Sequence, residues 1–142
     1  MKRIVSIILA FSLLLVLISC QNENSSSAKS VDVDLTRLSG TMVYSEVYNM
    51  LENTESYLGK TVRMRGRFSV YRSPDTGIPY FACVIEDATA CCSQGLEFVL
   101  DGAPRYPDDY PSVGTEITVS GEFGTYEEGG YRYCHLIRAK FE

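Results

Sequence analysis

The chain has 142 residues, 45% of them apolar and 22% charged, with a formal net charge of −5, one histidine and no tryptophan. That length suits one small domain around a single core. The acid excess disfavours polyphosphate ligands, whose binding rests on lysine and arginine neutralising phosphates, so nucleic acid is not expected as a partner.

In chain order, Lys2 and Arg3 precede an apolar run over 4–18 that only Ser6 and Ser12 interrupt. A basic start followed by a short apolar run has the layout of a secretory signal, and the run falls short of the roughly 20 residues needed to span a bilayer. It ends in Leu17, Ile18, Ser19 and Cys20, which resembles the lipobox of bacterial lipoproteins. Residues 1–19 are therefore expected to be cleaved and Cys20 to carry lipid, which holds the chain on the extracytoplasmic side of a membrane in the bacterial cell envelope. Several acyl chains on one residue anchor stably, since each buried methylene contributes about 0.8 kcal/mol. Cleavage removes Lys2 and Arg3 and no acid, leaving 11 basic and 18 acidic residues and a net charge of −7. Residues 20–40 are rich in serine, asparagine and charge, and read as a flexible tether.

Residues 41–142 are expected to form the folded domain. Val43, Val47, Met50, Leu51 and Leu58 approximate a helical period, which predicts an amphipathic helix over 41–53 capped by Ser39 or Thr41. After Gly59 the period becomes two: Val62, Met64, Gly66, Phe68 and Val70 share one face, and Arg63, Arg65 and Arg67 the other. The design returns 55 residues later, where Gly59, Val62, Met64, Gly66, Phe68 and Tyr71 match Gly114, Ile117, Val119, Gly121, Phe123 and Tyr126. Each copy continues through a turn, 73–79 or 127–130, into a second strand, with Tyr80 and Cys83 answering Tyr131 and Cys134. Leu96, Phe98 and Leu100 mark one more strand between the hairpins. A hairpin, a single strand and a hairpin make a mainly β fold that resembles the five-stranded OB barrel. Gly66 and Gly121 fit its sharply bent strands. Pro104, Pro107 and Pro111 rule out a regular helix over 101–113, so the helix at 41–53 is left to cover an open barrel end.

Four cysteines remain in the domain, Cys83, Cys91, Cys92 and Cys134, with His135 beside the last. Thiolates with an imidazole suit tetrahedral zinc, and these five residues are the candidate metal ligands, although they lack paired C-x-x-C spacing and neighbours on a strand point to opposite faces. Outside the cytoplasm four cysteines equally suggest two disulfides. Adjacent α-carbons are too close for a Cys91–Cys92 bond, so Cys83 would bond one of that pair and Cys134 the other, and free buried thiols are the third reading. Tyr71, Tyr80, Tyr126, Tyr131 and Tyr133 gather on the hairpins and form a candidate ligand face for bases or sugars, with hairpin packing as the alternative. The arginine stripe reads as a solvated face paired with acids such as Glu116 and Glu122. No nucleophile elbow, phosphate loop or HExxH motif is present, which makes a thiol enzyme the weakest reading and leaves no catalytic residue to name.

The stretch 57–137, with the run 80–87, the Ala90, Cys91, Cys92 element and the repeated G-x-x-ϕ-x-ϕ-x-G strands, resembles small bacterial OB-like lipoproteins with a double cysteine. It is also similar to the C-terminal part of permease-partner proteins linked to zinc-responsive systems, and that resemblance implies metal handling at Cys91 and Cys92. The expected function is a membrane-anchored extracytoplasmic binding module for zinc. The alternative is a disulfide-stapled structural or protein-interaction domain without a small ligand, and in either case a membrane or envelope protein is a candidate partner.

Overall fold

The computed structural model describes residues 30–86 and 92–142. Cys20, the signal segment and Cys91 lie outside the described residues. The order is β1 (Val33–Asp34), a 3-10 turn (Leu35–Arg37), α1 (Gly40–Glu52), a second 3-10 turn (Thr54–Ser56), β2 (Thr61–Arg72), β3 (Pro79–Glu86), β4 (Ser93–Leu100), β5 (Glu116–Glu128) and β6 (Tyr131–Phe141). No helix among the described residues is long and apolar enough to cross a membrane.

The two long hairpins follow from the alternation. β2 pairs antiparallel with β3, and β5 with β6. β4 joins them, antiparallel to β3 and parallel to β6. The first half of β2, from Thr61 to Arg67, pairs with β5 and closes a ring of five strands. This is the OB-like connectivity expected from the repeated hairpins. The ring is tight where β2 passes from β5 to β3. A Cβ on Gly66 would lie 2.4 Å from the Val84 carbonyl oxygen, so only glycine lets the strands approach there.

Side chains at alternate positions fill the ring. Val62, Met64 and Phe68 of β2 meet Val119 and Phe123 of β5, Leu96 and Phe98 of β4, and Leu136 of β6, all at most 2% exposed. α1 packs over β3 and β4 and buries Val47 and Met50 completely. Its span lies within a residue of the expected one, with Ser39 at the N-cap. Leu51 is exposed, because only the side centred on Val43, Val47 and Met50 meets the strands, and Leu58, also exposed, lies beyond the end of the helix. The proline-containing segment 101–115 is irregular, as expected, and it packs inward. Tyr110 lies 4.3 Å from the ring centroid of Phe81 and 5.9 Å from that of Phe68, and Tyr106 lies 5.6 Å from Tyr110.

The domain starts earlier than residue 41. Part of the expected tether is built into the fold: β1 lies parallel to β2 at Val62 and Arg63, and Leu35 is 1% exposed within the core. β3 reaches only the second half of β2, and β1 occupies the edge that it leaves uncovered. The arginine stripe is solvated, but its partners differ from those expected. Arg63 pairs with Asp34 and Glu142, Arg65 donates to Thr118 and Arg67 to the Gly114 carbonyl, while Glu122 pairs with Arg138.

Candidate ligand-binding cleft

Residues that alternate with the core project outward. On β3 this places Tyr80 outside, because Phe81 and Cys83 point in. On β4 it is Glu97, between buried Leu96 and Phe98. On β5 it is Tyr126 and Glu128, and on β6 Tyr131, Tyr133 and His135. Ring closure then joins residues far apart in sequence. The Tyr126 hydroxyl donates to Glu97 Oε2 at 2.6 Å, and the Tyr80 hydroxyl lies 2.6 and 2.8 Å from the two oxygens of Glu128.

The rings pack as a group. Tyr126 stacks on Tyr133 with centroids 5.3 Å apart and lies 4.9 Å from the His135 imidazole. Tyr71 lies 6.2 Å from Tyr80. Gly124 stands opposite His135, and even a Cβ there would reach no closer than 3.6 Å to the imidazole, so that side of His135 carries no bulk. Between this group and segment 101–115 lies a cleft of about 430 Å³. Its walls are Tyr80, Phe81, Glu97, Phe98, Val99, Leu100, Pro104, Tyr110, Tyr126 and His135, with Ile78 and Pro79 at the β2–β3 turn. An apolar cleft with a few convergent polar groups is the usual form of a ligand site.

The electrostatics follow from these contacts. The hydrogen bond to Glu128, with some desolvation, pushes the Tyr80 phenol up to about 12. Burial, then the bond to Glu97, raises Tyr126 well above the ordinary phenol value. Both phenols stay protonated donors near neutrality. Burial lowers the pKa of His135, which favours a neutral imidazole in the cleft wall.

The five expected tyrosines lie on this outer face. Tyr80 and Tyr126 line the cleft, Tyr133 and Tyr71 back them, and Tyr131 projects at the hairpin end, 71% exposed. Glu97 was not singled out from sequence, although its alternation with Leu96 and Phe98 marked it as outward. Tyr106 and Tyr110 had no such signal, because they sit in an irregular segment.

Among the described residues, the expected ligands Cys83, Cys92, Cys134 and His135 do not come together. Cys83 is fully buried opposite Phe68 and Leu96, and burial pushes its thiol up to about 12. Cys92 is exposed just before β4. Cys134 is half-buried, its sulfur 3.8 Å from the Thr54 hydroxyl beyond the end of α1, and His135 faces Tyr126 on the other side of β6. Among the described residues no three histidine, cysteine, aspartate or glutamate side chains converge on a common point. The expected disulfides are absent there too: Cys83, Cys92 and Cys134 are all thiols. Strand alternation separates these groups, with Cys83 in the core and His135 outside.

Neither protein-family models nor curated proteins match this chain. Among solved structures, a lipoprotein from Klebsiella pneumoniae is 22% identical, with a TM-score of 0.44, and the match covers 67% of this chain and 80% of that one. The permease-partner resemblance has no counterpart in these comparisons. The Klebsiella protein is described as a "putative nucleic acid-binding lipoprotein", which conflicts with the expectation that nucleic acid is not a partner. That expectation is withdrawn. Net charge sums the whole surface, whereas single strands are held by local grooves and by stacking on aromatic faces.

Proposed function

We propose that this protein is a lipid-tethered extracytoplasmic binding module whose ligand seats in the tyrosine-lined cleft. The observation that carries the reading is the pair of tyrosine–glutamate hydrogen bonds, Tyr126 to Glu97 and Tyr80 to Glu128, which hold two ring faces in place before any ligand arrives. Preorganised rings lose little rotamer freedom on binding, which favours affinity. Anchoring through Cys20 places the cleft in the cell envelope. The dispersed positions of Cys83, Cys92, Cys134 and His135 lend zinc no support.

Two measurements test the proposal. In cells, Cys20→Ser is expected to move the protein from the membrane to the soluble fraction, and unchanged fractionation refutes the anchor. For the cleft, the mature chain carrying Cys20→Ser is titrated by NMR with a chitooligosaccharide, a thymidine hexanucleotide and choline. At least one probe is expected to shift the amides around Glu97, Tyr126 and His135 saturably, and Tyr126→Ala to abolish the shift. No saturable shift with any probe, or equal binding by Tyr126→Ala, refutes the reading.

A further inference from the structure

Resting on the cleft as a binding site, we infer that it takes an organic cation: an alkylated amine or quaternary ammonium group, free or carried on a larger ligand. The wall of the cleft contains the carboxylate of Glu97 and no lysine or arginine. Glu128 lies close behind, against Tyr80. Each carboxylate is met by a tyrosine hydroxyl, a neutral donor, and among the described residues neither has an ion-pair partner. Their negative charge is therefore uncompensated beside a mainly apolar surface. A phosphate or carboxylate in the same space meets repulsion, whereas a cation meets attraction that the low-dielectric walls strengthen.

The aromatic faces point the same way. A cation is drawn to the face of a tyrosine ring, and the attraction grows as water is excluded. Tyr80, Tyr110 and Tyr126 all border the cleft. Just outside the lining residues, the Arg72 guanidinium already lies 5.6 Å from the Tyr106 ring centroid. The rim selects among cations. Ile78 and Val99, each at least half exposed, and Pro104 offer alkyl surface to N-methyl or methylene groups. A hydrated metal ion gains nothing from such a rim, and calcium requires six to eight oxygen ligands.

The test compares choline with 3,3-dimethyl-1-butanol, its uncharged analogue of nearly the same shape, by NMR titration of the mature chain carrying Cys20→Ser. Choline is expected to bind about tenfold more tightly or better, with shifts at Glu97, Tyr126 and His135. Glu97→Gln retains an acceptor for the Tyr126 hydroxyl and is expected to remove most of this preference. Circular dichroism verifies its fold, and Glu128→Gln provides a second variant with a smaller expected effect. Equal binding of the two probes, or a preference that survives both substitutions, overturns the cation inference and leaves the cleft reading standing. Binding of the chitooligosaccharide or hexanucleotide without choline has the same consequence. Silence from all four probes overturns both readings.

Discussion

Replacing Gly66 with alanine tests the ring closure that creates the cleft. The added Cβ would stand 2.4 Å from the Val84 carbonyl oxygen and 3.0 Å from both the Val84 carbonyl carbon and the Cys83 sulfur. Relief to ordinary contact requires the backbone of β3 or β2 to retreat by about 1 Å, since no side chain can rotate away from a carbonyl, and close-packed interiors yield little. Overpacking typically costs about 1–3 kcal/mol, and a backbone clash in a strand held on both edges belongs at the upper end. For a domain of this size a loss of ~3 kcal/mol lowers Tm by roughly 10–20 °C. Urea unfolding followed by tyrosine near-UV circular dichroism measures the change, with Gly40→Ala as control. Gly40 opens α1 with nothing within 4 Å of its virtual Cβ, so alanine there is expected to be neutral or stabilising by up to about 1 kcal/mol. Gly66→Ala within about 0.5 kcal/mol of the parent, the scatter of neutral surface changes, refutes the geometry.

Three further outcomes are expected. Burial raises the Cys83 thiol from 9.0 to about 12, so the unfolded chain releases that proton first: the stability it contributes is intact below pH 9 and is lost as pH rises toward 12. The loss reaches about 1.4 kcal/mol by pH 10, and Cys83→Ala should flatten that part of the pH–stability curve; an unchanged slope refutes the assignment. Under native conditions a thiol reagent should modify Cys92 readily and Cys83 only after unfolding, and early modification of Cys83, mapped by mass spectrometry, contradicts its place in the core. Tyr110→Ala removes the ring stacked on Phe81 and should cost about 2–3 kcal/mol in urea unfolding, whereas a change below 0.5 kcal/mol, roughly surface scatter, shows that segment 101–115 does not hold the aromatic cluster.

The cleft also explains why the tyrosines are oriented as they are. Tyr80 and Tyr126 each have one end in the ring cluster and a hydroxyl on a carboxylate, so neither phenol needs a ligand to satisfy its polar end. A ligand meets ring faces that are already positioned, beside carboxylates that retain accepting capacity. This preorganisation separates the outer face from the Phe68 ring, which is committed to packing against Phe81 and Phe98.

Local rules were enough for much of the architecture. Period-two alternation in Val62, Met64 and Phe68 and in Ile117, Val119 and Phe123 marked β2 and β5, the turns marked the hairpins, and the same alternation sent Tyr71, Tyr80, Tyr126, Tyr131 and Tyr133 outward. Strand geometry makes such facing a property of a few adjacent residues. The short alternation in Val31, Val33 and Leu35 was present too, but two residues of strand become visible only against the β2 edge that they cover. Which outward residues meet was decided by closure. Glu97 and Tyr126 are separated by 29 positions and Tyr80 and Glu128 by 48, and the β2–β5 and β4–β6 ladders bring each pair into contact. The same closure leaves Cys83 within the ring and His135 outside it, because two groups with suitable chemistry form a site only when the strands aim them at one point.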